Sequence, residues 1–220
     1  MTPADHRNQS LIAEDFTGKD LAAARFGGAD LKMAGFARAV LTGASFTGCD
    51  LRRAQFAGAA AAGADFTGAR LDAAAAEDAD FSQARLAGAS LAQFQGRGMD
   101  LHGAVLTNLR APGILLAGAD LSEADGLGGD FGGGVFIGAR LCRARLAGAC
   151  LAGADFTDAD LRDADLTGAN LRFAIFERTD LTGADLTGAD LTGARFTDCP
   201  GTDAAMVRAA ASSLAANYWK

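Results

Sequence analysis

From Leu11 to Phe196 every fifth residue of this 220-residue chain falls in one register, and that register is apolar. Of its 38 positions 33 are Leu or Phe, and the exceptions are Ala61, Ala76, Gly96, Ala111 and Gly126. Two residues earlier in each pentad Ala fills 27 of 38 positions, and Cys49, Gly129, Gly134 and Thr179 are also compact. Asp commonly precedes the large residue, and Thr-Gly or Ala-Gly often follows it, as in Ala184-Asp185-Leu186-Thr187-Gly188.

A period of five matches neither the 3.6-residue helix nor an extended strand of period two. It matches a short extended step followed by a corner. The small and the large apolar residue, two apart, then point to one side and their neighbours to the other. The pattern predicts stacked coils joined by backbone hydrogen bonds around a Leu/Phe column. Burial contributes roughly 1.5–3 kcal/mol per large side chain before entropy is subtracted, so the 33 can sustain a rod without a layered core.

Repeated over residues 9–198, the motif Ala-(Asp/Asn)-Leu-x-x resembles that of the pentapeptide-repeat family. The resemblance implies an all-β solenoid, a right-handed quadrilateral β-helix with four pentads per coil. It would have about nine and a half coils and a length of roughly 45 Å at the usual strand spacing. Residues 1–8 are then a leader or cap, and residues 199–220 a short C-terminal α-helix. Thr202 or Asp203 can cap that helix, and Met206, Val207 and Leu214 are spaced for one apolar side ahead of Tyr218 and Trp219. It would close the end of the solenoid or make a dimer.

With twenty residues per coil, positions 20 apart lie one above another. One interior column reads Phe16, Phe36, Phe56, Ala76, Gly96, Leu116, Phe136, Phe156, Phe176, Phe196 and is thinned in the middle. Nearby, Phe94, Met99, Leu109 and Ile114 replace the small residue, and Ala111-Pro112-Gly113 breaks the consensus. Residues 92–116 are therefore predicted to be locally distorted, with a bulge, a bend or a side chain forced outward.

Outward positions also form columns. Candidate partner-binding acids are Asp120, Asp125, Asp155, Asp160, Asp165, Asp180, Asp185 and Asp190, with a basic knot at Arg140, Arg143 and Arg145. A candidate apolar strip comprises Leu115, Val135, Ile137 and Ile175. Residues 1–110 hold 11 basic and 12 acidic groups and residues 111–220 hold 9 and 15, so the second half is the anionic one at −6 against −1.

The total of −7 argues against direct nucleic-acid binding, which needs clustered Lys and Arg, and favours a basic protein partner. The first ten residues hold no apolar stretch of signal-peptide type and no segment has 18 uninterrupted apolar residues, so a cytoplasmic protein off the membrane is expected. Cys49, Cys142, Cys150 and Cys199 lack metal or disulfide spacing. His6 in the leader and His102 have no partner that spacing identifies, and both read as surface residues. Gly128–Gly134 is similar to a calcium-binding nonapeptide repeat but occurs once and keeps the five-residue register. No cofactor, metal site, phosphate loop or nucleophile motif is read, and the expectation is a binding protein without catalysis.

The Qnr-type and mycobacterial fluoroquinolone-resistance branch of the family consists of dimeric, DNA-mimicking rods that bind DNA gyrase. That resemblance implies gyrase as a partner and homodimerisation through the C-terminal helix. Three features depart from the branch: Ala-Asp-Leu repeats, no loop breaking the register, and a tail unlike its dimer module. The alternative is a scaffold or regulatory module with another partner.

Overall fold

The computed structural model describes residues 3–203. Its unit is the pentad, and one example shows how it closes. The Phe46 N–H donates to the Asp65 carbonyl of the next coil at 2.7 Å, while the Ser45 N–H donates to the Ala24 carbonyl of the previous coil at 2.9 Å. The chain then turns, with the Cys49 N–H donating to the Phe46 carbonyl at 3.0 Å. Parallel single-residue bridges follow this scheme at a spacing of 20, from Asp5↔Arg25 to Asn170↔Asp190. Only near the end do they widen into strands, β1 (Ile175–Glu177) and β2 (Arg195–Thr197), paired in parallel with Phe176 opposite Phe196. The architecture is the β-helix solenoid that the repeat implies.

Each corner is a four-residue turn whose third residue has positive φ, the signature of a type II turn. Nearly half of these residues are not glycine: Ala23 sits at φ 55° and Phe173 at 58°, against 64° at Gly43. A side chain in the left-handed region costs roughly 1–2 kcal/mol. The stack imposes the corner even where the residue disfavours it.

The four sides of the rod can be named by their bridging columns. In chain order they are the Val135, Asp160, Asp165 and Asp190 faces. Inside, aromatic rings stack along the axis. Phe26, Phe46 and Phe66 lie 4.8 and 4.9 Å apart, and Phe16, Phe36 and Phe56 lie 5.1 and 5.0 Å apart. The two columns meet edge to face, as Phe36 and Phe46 do at 85°, a geometry that the ring quadrupole favours. A third stack runs through Phe136, Phe156, Phe176 and Phe196. Compact polar residues at the small position add buried hydrogen bonds. The Thr179 hydroxyl donates to the Phe156 carbonyl at 2.8 Å and the Cys49 thiol to the Phe26 carbonyl at 3.0 Å. Burial pushes that thiol up to about 11.

Residues 92–116 correct the expectation of a bulge or bend. Every bridge and corner keeps its register there. The core exchanges large for small instead: Phe94 beside Gly96 and Leu109 beside Ala111 reverse the usual order, and Phe94, Met99, Leu109 and Ile114 are all at most 2% exposed. Glycine makes the room. A Cβ on Gly96 would lie 2.3 Å from Met99 Sδ and 2.9 Å from Leu116 Cδ2. What remains is an apolar void of about 10 Å³ lined by Phe94, Met99, Leu109, Ile114 and their neighbours.

The N-terminal boundary also moves. Residues 1–8 are not all leader, because Asp5 already pairs with Arg25 and His6 occupies the aromatic column, stacked on Phe26 at 5.0 Å. His6 is therefore half-buried. In the first coil Gln9, Glu14 and Lys19 stand at the register's small positions and are exposed, and Lys19 Nζ lies 5.5 Å above the Phe16 ring. Polar groups thus blunt an end that would otherwise offer open strand edges. At the other end the coil continues to Pro200, whose carbonyl accepts from the Leu181 N–H at 2.8 Å. No helix occurs among the described residues. The expected C-terminal helix, with Met206, Val207, Leu214, Tyr218 and Trp219, lies outside them.

Candidate partner-binding surface

Outward side chains carry whatever chemistry the rod has, and the aspartates at bridging positions have a structural task first. Asp160 Oδ1 accepts the Arg162 N–H at 3.1 Å, and Asp120, Asp155, Asp165, Asp180, Asp185 and Asp190 accept the N–H two residues on at 2.9–3.0 Å. Asp125 does so at 3.3 Å. This is the Asx-turn geometry that ties an extended residue to the following corner. One carboxylate edge is thereby fixed, and the other is left for charge pairing.

Pairing decides which acids stay anionic toward solvent. The basic knot is consumed by the coil beneath it: Arg140 meets Asp120 at 3.4 Å, Arg143 meets Glu123 at 3.0 Å and Arg145 meets Asp125 at 3.1 Å. Asp120 and Asp125 therefore belong to a neutralised band. Asp190 is paired with Arg172 at 3.2 Å on a different face. Asp155, on the Val135 face, is bound by the N–H and hydroxyl of Thr157.

The remaining four candidates come together. Asp160 and Asp180 share Arg162, at 2.7 and 3.9 Å, on the Asp160 face. Asp165 and Asp185 stack on the adjoining Asp165 face, and neither forms an ion pair among the described residues. Asp163 stands at the corner between the two faces. Over these two coils the two faces thus carry five carboxylates and one guanidinium, which reaches Asp160 and Asp180. The side-chain hydrogen bond from Arg162 holds the Asp160 carboxyl at about 2, burial opposing it, and the pair raises Arg162. The Thr187 hydrogen bonds hold Asp185 below the usual carboxylate range. Asp163 and Arg162 are missed when candidate acids are sought at bridging positions alone; the columns two and three residues on contain them.

The apolar strip is shorter than the sequence suggests. Leu115 and Val135 are neighbours in one column and Ile137 lies beside them, with Leu115 43% and Ile137 40% exposed. Asp155 sits between Val135 and Ile175, so Ile175 is cut off. Among the described residues no cluster of three or more His, Cys, Asp or Glu side chains has metal-binding geometry, and no helix is long and apolar enough to cross a membrane. The cysteines are free thiols.

Among curated protein sequences, none matches the chain. Among solved structures it is similar to HetL, a pentapeptide-repeat protein involved in heterocyst differentiation regulation in the cyanobacterium Nostoc, at TM-score 0.76 and 33% identity over 88% of this chain and 87% of that one. It is also similar in fold to a trypsin-treated variant of QnrB1, a plasmid-mediated fluoroquinolone resistance protein, at TM-score 0.52 and 19% identity over 94% and 97% of the two chains. Eight copies of the pentapeptide repeat are matched, within residues 20–111 and 130–198. With that repeat in the sequence, its coils in the structure and HetL at this identity, the chain belongs to the pentapeptide-repeat family.

Proposed function

We propose that the protein is a non-enzymatic binding rod that engages a basic protein surface through Asp160, Asp163, Asp165, Asp180 and Asp185. The observation that carries this reading is the charge balance of two adjoining faces over residues 160–168 and 180–188, where five carboxylates accompany one guanidinium while Arg140, Arg143 and Arg145 of the coil below are paired with Asp120, Glu123 and Asp125. Columns of carboxylates at the strand spacing of about 4.8 Å offer regularly spaced negative charge, as a nucleic-acid backbone does. A partner with a DNA-binding saddle is therefore the best fit, and DNA gyrase is the candidate. Its engagement would protect or modulate the enzyme and bear on resistance to an antibiotic or toxin. Affinity and on-rate would fall as salt rises.

A second reading is a regulatory scaffold with another partner, favoured by the likeness to HetL over most of both chains. A gyrase supercoiling assay, with and without a quinolone, separates the two. Inhibition or protection at micromolar protein, lost when Asp160, Asp165, Asp180 and Asp185 are all replaced by Lys, supports the first. No effect on gyrase sinks the mimic reading and leaves the regulatory one. Homodimerisation through residues 199–220 belongs to the first reading as well, and a strict monomer in light scattering would count against it.

A further inference from the structure

Around Leu115 the rod has no charge and little side chain. Two successive coils of the Val135 face present Leu115 and Ala117, then Val135 and Ile137, and open glycine corners flank them at Gly118 and Gly138. The charge resumes abruptly at either end. Exposed Arg97 lies one coil below Ala117 and forms no ion pair among the described residues. Asp155 lies one coil above Val135, and its carboxylate is held by Thr157 alone.

We infer that this panel docks a single amphipathic helix of a partner protein, lying along the rod axis with an acidic end over Arg97 and a basic end over Asp155. Three features select that occupant. Along the axis the coils repeat at about 4.8 Å, near the 5.4 Å pitch of an α-helix, so successive turns can each meet one coil. The panel is only two coils deep, too small for the roughly 800 Å² per partner of a stable interface between folded proteins, so a second copy on this patch alone would not hold. Unpaired charges of opposite sign at its ends fix the direction of the helix. The site lies on a different face from the anionic surface and does not depend on it.

The test is selection of binders from a displayed library of amphipathic helices with acidic and basic residues about ten positions apart, to match three coil steps, against the full-length protein, followed by fluorescence anisotropy of the best one. Expected is micromolar binding that weakens at least tenfold with Ile137→Glu or Leu115→Glu and is unchanged by Leu127→Glu, an equally exposed apolar site on the Asp165 face. Arg97→Glu should weaken an acidic-ended helix and select basic-ended ones. An empty selection, or binders indifferent to Ile137→Glu, overturns the inference. So does a wild-type dimer that Ile137→Glu dissociates in sedimentation, which would make a second copy the occupant. All these side chains are exposed, and an unchanged thermal midpoint checks that each variant is folded.

Discussion

The reversal at Phe94 and Gly96 can be undone, and the outcome measures how independently the core is packed from the backbone that encloses it. Phe94→Ala removes a ring that is 1% exposed and beside an existing void. Phe→Ala in a core costs about 3–5 kcal/mol; Met99 is flexible and can sag into the space, which places the loss near 3 kcal/mol. Gly96→Phe adds a ring where even a Cβ would meet Met99 Sδ at 2.3 Å, Leu116 Cδ2 at 2.9 Å and Phe94 Cε1 at 3.1 Å. Overpacking by one or two methylenes already costs about 1–3 kcal/mol, so a ring should cost about 3 or more. The double variant restores the usual order of the repeat, with the ring one pleat along and its former site small. Its expected loss is under about 2 kcal/mol, far from the sum of the single losses, for a coupling of 2 kcal/mol or more in size. Guanidinium denaturation followed by circular dichroism gives the three values. Their m-values must agree, because a solenoid can unfold in parts and then yields no single free energy. A double variant as unstable as the sum, or a Phe94→Ala loss below about 1 kcal/mol, would refute the claim that ring and glycine compensate each other.

Gly43→Ala tests the corner alone, since nothing lies within 4 Å of the new methyl and φ is 64°; a loss of about 1 kcal/mol should lower the thermal midpoint by roughly 2–4 °C, and no change would mean the turn carries no strain. Arg162 holds Asp160 at about 2, below its value of 3.8 when unfolded, so this pair's stabilisation is complete above about pH 4 and is lost as pH falls from 4 to 2. Arg162→Gln should therefore lower the thermal midpoint at pH 7 and much less at pH 2, and an equal shift at both would contradict the assignment. Arg140, Arg143 and Arg145 are 62–68% exposed, so their joint replacement by Gln should cost little stability, at most about 1 kcal/mol per pair. It should tighten binding of a lysine-rich peptide at low salt by freeing Asp120, Glu123 and Asp125; unchanged binding would argue that these acids face no ligand.

The interior was legible because one residue in five repeats a single physical demand. A large side chain at positions such as Phe46 or Leu151 must enter the core whatever its neighbours are, and the register follows. The middle of the rod was misread because Phe94 and Gly96 were judged separately. Each alone violates the repeat, but the two share one packing site across a pleat, and a volume-conserving exchange leaves the backbone undisturbed. The start of the repeat falls earlier than residue 9 for a related reason: His6 is neither Leu nor Phe, yet it keeps the aromatic column going on Phe26, and Asp5 pairs with Arg25.

The surface was less legible because a column reads charge but not pairing. Asp125 and Asp165 have the same place in the repeat and the same backbone hydrogen bond, and both adjoin Arg145 in the ladder, but its ion pair goes to Asp125. Arg145 stands over Asp125 and neutralises it, whereas Asp185 stands over Asp165 and adds to it. A one-residue change twenty positions away therefore switches an acid between structural and available without touching the fold. Outward positions can alter in this way at a cost of at most about 1 kcal/mol per exposed pair, while interior positions lose several. The rod thus separates stability from recognition. Lys substitutions at Asp165 and Asp185 should abolish the anionic surface and leave the apolar panel at Val135 untouched, and Ile137→Glu should do the reverse. If either set disturbed both, one partner would be spanning the corner between the Val135 and Asp160 faces, and the two surfaces would be halves of one site.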